Sequence, residues 1–77
     1  MKHQEGMPQQ CIDTGKAITG VYGHGRGLEV IESRIESLTE AVELLKYFNA
    51  DKKLILKIAI QIDFWTQTKE SVKPKNR

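Results

Sequence analysis

The sequence has 77 residues, of which 39% are hydrophobic and 29% are charged, with a formal net charge of +2. A chain of this length forms one domain at most and buries only about 60% of its unfolded surface, so its stability usually requires disulfides, a metal or self-association. Cys11 is the single cysteine, and His3 and His24 are the only histidines. This excludes an intramolecular disulfide and a Cys/His metal cluster, so we expect no cofactor and turn to self-association.

The sequence shows no pattern of a signal peptide or of a transmembrane helix. Residues 1–10 lack an apolar run, and the longest apolar tract, residues 54–65, is interrupted by Lys57, Gln61 and Asp63. That tract is also shorter than the roughly 20 residues that span a bilayer. We therefore expect a cytoplasmic protein without a membrane partner.

The first 27 residues contain all six glycines and show no sustained hydrophobic period. This composition predicts a flexible Gly-rich arm over residues 1–27. Residues 17–22 within it are also compatible with a short strand, although Gly20 weakens that interpretation.

One tripeptide in this arm, Asp13-Thr14-Gly15, matches the motif that carries the catalytic carboxylate of aspartic proteases. Those enzymes need a longer, strand-rich subunit, and this tripeptide is far more often a turn. Cys11 and the two histidines lack a catalytic partner at an informative spacing. We therefore expect a protein that is not an enzyme.

From residue 28 a helical pattern begins. Apolar residues recur at alternating steps of three and four, which predicts an amphipathic helix over about residues 28–48: Leu28, Ile31, Ile35, Leu38, Val42 and Leu45. Ala41, Leu44 and Phe48 widen this stripe, so we expect the C-terminal half of the helix to be the more deeply buried. Asn49 is a suitable terminator because asparagine tolerates the left-handed backbone conformation.

Residues 54–65 are compatible with two structures. Every even position from Leu54 to Phe64 is apolar, as in a strand, but the same stretch also has one continuous apolar face at helical spacing. Twelve residues are long for a strand, and no glycine or proline follows until Pro74, which favours a helix. Asp51 is placed to cap this helix.

On the helical interpretation, Leu56, Ile60 and Phe64 form a second apolar stripe on the side away from the first. One partner helix cannot cover both stripes, so we expect these three residues to form an interface with another copy or with another protein. We also expect Tyr47, Phe64 and Trp65 to be buried by helix packing. The predicted fold is all-α: a two-helix antiparallel hairpin over residues 28–72, with the Gly-rich arm before it and a basic tail over residues 73–77, assembled into an oligomeric bundle.

A glycine-rich stretch, residues 23–27, stands directly before the first predicted helix. Backbone N–H groups and the helix dipole favour an anion at such a position, although glycines before a helix also serve as plain linkers. An aromatic ring and a guanidinium flank the stretch. The candidate ligand-binding residues are therefore Tyr22, Gly23, Gly25 and Arg26.

The order of features along the chain resembles that of one family. These features are Ile18-Thr19-Gly20 with Tyr22, a long helix, a link at Asp51 and a second helix that ends near Val72 to Pro74. Residues 18–74 are similar to the helical-hairpin domain of phage proteins that sequester cyclic-nucleotide immune signals. The resemblance implies a phage or bacterial protein whose paired helices assemble into oligomers that hold a nucleotide between protomers. Tyr22 is the only residue to which the resemblance assigns a ligand-binding role. This chain departs from the family at residues 23–27, where the family enters its helix sooner.

Three functional hypotheses follow. The first is a homo-oligomeric regulator or inhibitor that binds a protein partner through the stripe Leu56, Ile60 and Phe64. The second is a protein that sequesters an anionic nucleotide through the candidate ligand-binding residues. The third is weak nucleic-acid binding by clustered lysines such as Lys52 and Lys53, which the modest charge density does not favour.

Overall fold

A computed structural model of the chain describes residues 8–72. It contains three α-helices: α1 (Gln9–Tyr22), α2 (His24–Tyr47) and α3 (Lys52–Val72). The expected all-helical class is confirmed, and the helix interpretation of residues 54–65 is correct. The predicted two-helix architecture is wrong, because residues 9–22 of the expected flexible arm form a third helix that packs on the other two.

Helix α1 packs on the hairpin through small residues. The spacing of large apolar residues therefore does not predict this helix. Its buried positions are Cys11 and Gly15. A Cβ atom at Gly15 would lie 2.7 Å from Ser71 Oγ and 2.8 Å from Val72 Cγ2, so only glycine lets α1 approach α3 this closely. The Asp13-Thr14-Gly15 tripeptide thus lies inside a helix rather than in a turn.

Helices α2 and α3 form the antiparallel pair that the main stripes predict. On α2, Ile31 is fully buried and the other stripe residues are half-buried. On α3, Ile55, Ile58, Ile62 and Trp65 are half-buried. Arg34 lies 5.6 Å from the centre of the Trp65 ring, and Lys69 Nζ lies 3.3 Å from Glu32 Oε2. These partly exposed charges add little stability, so the apolar stripes hold the pair together.

The turn between α2 and α3 is encoded locally, as the sequence predicts. Asn49 has a φ of 58°, and its N–H donates to the Lys46 carbonyl while the Ala50 N–H donates to the Leu45 carbonyl. This is the Schellman arrangement that closes a helix. Asp51 then caps α3, because its Oδ1 accepts a hydrogen bond from the Lys53 N–H at 3.1 Å.

The small core lies where α1 crosses the hairpin. Its largest fully buried side chains are Ile31, Thr68 and Cys11. Thr68 is covered by α1 although its side chain is polar, and its hydroxyl donates to the Phe64 carbonyl at 2.9 Å. The expectation that the C-terminal half of α2 is the more deeply buried is wrong, since Leu44 and Phe48 are exposed.

The predicted basic tail, residues 73–77, and His3 lie outside the described residues. Over residues 8–72, no helix combines the length and the apolar character that a bilayer span needs.

Candidate functional site

A ridge of residues spaced by four runs along α3 and continues the second apolar stripe. It consists of Leu56, Ile60, Phe64, Thr68 and Val72. Helix α1 covers only one end of this ridge: Thr68 and Val72 are buried, Phe64 is half-buried, and Leu56 and Ile60 are each 60% exposed. The expectation that nothing else in this chain could cover the stripe is therefore wrong for its C-terminal part.

Helix α1 is too short to cover the rest of the ridge. Near its beginning, the Cys11 thiol donates to the Phe64 carbonyl at 3.5 Å, and α1 itself begins only two residues earlier at Gln9. Helix α3 begins at Lys52, twelve residues before Phe64, which corresponds to about 18 Å of helix. The turn end of the α2–α3 hairpin thus lies beyond the reach of α1.

Large apolar side chains remain exposed at this turn end, on both helices and beside the turn. We call them the hairpin-end patch: Leu44, Tyr47, Phe48, Leu54, Leu56 and Ile60. Tyr47 and Phe48 are 79% and 71% exposed, and their rings meet edge to face with centres 5.0 Å apart. The expectation that Tyr47 is buried is therefore wrong, whereas Phe64 and Trp65 are half-buried.

Charges of opposite sign border the patch on the two helices. On α2, a shallow groove is lined by Glu40, Glu43, Leu44 and Tyr47. On α3, Lys53 and Lys57 lie within one turn of Leu56 and are exposed. Within the described residues, these two glutamates and two lysines form no salt bridge with one another. The arrangement suits a partner that carries both apolar and charged side chains.

The candidate ligand-binding residues lie together at the junction of α1 and α2. Tyr22 ends α1, Gly23 is the single residue between the helices, and Gly25 and Arg26 belong to the first turn of α2. Tyr22 and Arg26 are exposed, and no side chain caps α2. The interpretation of the whole stretch as a loop is wrong, because α2 starts four residues before the predicted position. Capture of an anionic nucleotide by these residues stays a prediction.

Two glycines of this stretch have a structural role. Gly23 has φ 90° and ψ 163°, a combination that is essentially restricted to glycine, and it lets the chain leave α1 and enter α2 within one residue. At Gly27, a Cβ atom would lie 3.0 Å from the Cα of Thr19, so the glycine allows α1 and α2 to cross closely. Gly25 has open space around it.

Substituting Gly23→Ala tests this role directly. The substitution forces a side chain into a backbone conformation that only glycine adopts readily, so we expect the free energy of unfolding to fall by at least about 1 kcal/mol. Gly25→Ala is the matched control, because it lies in a helix with no atom near its Cβ position. Urea denaturation followed by circular dichroism measures both, and equal stabilities of the two variants would contradict the assigned role of Gly23.

The residues with reactive side chains make structural contacts. The Cys11 thiol is fully buried. His24 Nε2 lies 2.7 Å from the Val72 carbonyl oxygen, which can only accept, so the imidazole donates this hydrogen bond. The bond gives a partner to a carbonyl at the end of α3 that has none within the helix. Among residues 8–72, no group of three or more His, Cys, Asp or Glu side chains is placed to hold a metal ion.

Comparison of the chain with models of known families, with curated proteins and with solved structures gives no match. The resemblance to the phage proteins that sequester cyclic nucleotides therefore stays a prediction.

Proposed function

We propose that this protein is a small regulatory or inhibitory protein that acts through protein–protein contacts as a homo-oligomer, without catalysing a reaction. The observation that carries the proposal is the hairpin-end patch, in which both helices of one hairpin expose large apolar side chains around a well-formed turn. Single exposed apolar residues are ordinary on protein surfaces, but a concentration of them at one end of a molecule is typical of an interaction site.

The size of the patch supports self-association. With about 200 Å² for a fully exposed residue of this size, the six residues leave on the order of 700 Å² of surface open, most of it on apolar side chains. This is a total over both helices and the turn rather than one contiguous patch, because Leu44 on α2 and Leu56 and Ile60 on α3 point to opposite sides of the hairpin. Association on both sides of the hairpin would remove most of this apolar surface from water, which favours an oligomer.

The mass of the full chain in solution tests the proposal. Light scattering coupled to size-exclusion chromatography, over a dilution series, is expected to give a multimer of defined mass that dissociates on dilution. A chain that remains monomeric at the highest soluble concentration would contradict the proposed homo-oligomer.

Substituting Leu56→Glu together with Ile60→Glu is expected to prevent association. The two side chains are 60% exposed, so the folded monomer tolerates the change, whereas an interface would have to bury two carboxylates at its centre. Val21→Glu is the matched control, since this residue is 77% exposed on α1, away from the hairpin turn. Sedimentation equilibrium should show a monomer for the double variant and the parent mass for the control. The parent mass for both variants would show that the patch is not the contact.

A further inference from the structure

The hairpin-end patch has one face on α2 that points away from α3. Leu44 follows Ile35 of the buried stripe by nine residues, which at about 100° per residue places it on the opposite side of α2. The shallow groove that contains Leu44 is therefore an outward face, and it combines apolar side chains with negative charge. We call it the α2 face: Glu40, Glu43, Leu44 and Tyr47.

A second face on α3 points away from α2. Leu56 and Ile60 each lie two residues from the half-buried Ile58, so both are directed about 160° away from it. Lys53 and Lys57, one turn apart, border these apolar side chains. This outward face combines apolar side chains with positive charge, and we call it the α3 face: Lys53, Leu56, Lys57 and Ile60.

The charges decide which faces can meet. Contact between two α2 faces would place Glu40 and Glu43 against the same glutamates of the other copy, and contact between two α3 faces would oppose lysines. Juxtaposed like charges disfavour such pairings, whereas an α2 face against an α3 face combines apolar contact with opposite charge. Because the two faces lie on opposite sides of the hairpin, one copy can offer them to two different neighbours.

We propose that the α2 face of one copy binds the α3 face of the next copy in a head-to-tail contact, an inference that rests on the self-association proposed above. A contact between two different surfaces is heterologous, so repetition closes a ring if the rotation between neighbours permits and otherwise produces an open filament. The occupant of each face is thus a second copy of this chain.

Charge reversal on the full-length chain tests the pairing. One variant carries Glu40→Lys and Glu43→Lys, another carries Lys53→Glu and Lys57→Glu, and a third carries all four substitutions. We expect each two-residue variant to associate at least about tenfold more weakly than the parent chain, because each creates a like-charge contact. The four-residue variant should recover the parent mass, because both faces are reversed together.

The variants should fold, because the new charges suit the helices. Lys53→Glu places a negative charge in the first turn of α3, and Glu43→Lys places a positive charge near the end of α2, as the helix dipoles favour. Circular dichroism of each variant checks that helix content equals that of the parent chain.

The outcomes separate the two proposals. A monomeric parent chain would overturn the homo-oligomer and this inference with it. If the parent chain is oligomeric, two results are informative: one two-residue variant still associates normally, or the four-residue variant stays monomeric. Either result would overturn only the head-to-tail contact.

Discussion

Replacing Ile31 by alanine is expected to lower the free energy of unfolding by about 2–5 kcal/mol, the range measured for removing a large aliphatic side chain from a core. Among residues 8–72, Ile31 is the largest fully buried side chain, and it lies about one helical turn beyond Gly27, where α2 crosses α1. A domain of 77 residues has a total stability of about 4–12 kcal/mol, so the substitution removes a large part of it. Within the part of the chain that the structure describes, Cys11 and Val72 are the other buried apolar residues, so little else can compensate.

Urea denaturation followed by circular dichroism measures this loss. All variants are compared at one protein concentration, because self-association makes apparent stability depend on concentration. Val21→Ala is the control, since it removes an exposed aliphatic side chain from a helix and should change stability by less than about 0.5 kcal/mol. A loss below 1 kcal/mol for Ile31→Ala would contradict a core centred on this residue.

Replacing Gly15 by leucine is expected to separate α1 from α3. The Cβ atom alone would lie within 3 Å of Ser71 and Val72 side-chain atoms, and the rest of the leucine has no space between the helices. Overpacking of this kind typically costs about 1–3 kcal/mol. The gain in helix propensity from removing a glycine is about 1 kcal/mol, which does not remove the clash.

The thiol of Cys11 reports this separation independently of global stability. It is the only thiol in the chain and is fully buried against α3, so its reaction with a thiol reagent requires α1 to move away. Gly15→Leu should raise the labelling rate at least tenfold in the absence of denaturant. Gly20→Leu is the matched control, because no atom lies near its Cβ position. Equal labelling of the two variants would show that α1 is not held through Gly15.

Several features could be predicted from the sequence because they depend on local chemistry. The stripe from Leu28 to Leu45 has helical spacing over five turns, and only a helix places all of its members on one face. The end of α2 at Asn49 and the cap of α3 at Asp51 follow from the backbone preferences of single residues. The helical spacing also places Leu56 and Ile60 on the side of α3 away from the buried stripe, where they are exposed, whereas their role in an interface stays a prediction.

Helix α1 could not be predicted by the same method. Its contact positions include Cys11, Gly15 and Thr19, and small residues contribute almost nothing to a hydrophobic period. If small residues are counted as packing positions, Cys11, Gly15 and Thr19 show the spacing of four that is typical of one helix face. The close contact of Gly15 with Ser71 and Val72 joins parts of the chain that are more than 50 residues apart, so no local pattern contains it.

The sequence by itself therefore determined which residues of α2 and α3 face each other and where the chain turns, since these follow from helical spacing and from single-residue backbone preferences. Only the tertiary structure decided how far the third helix reaches along the hairpin. That reach determines which apolar residues are covered, because burial depends on whether another element is present at that place. It leaves Leu56 and Ile60 exposed and buries Thr68, the reverse of what their polarity alone indicates.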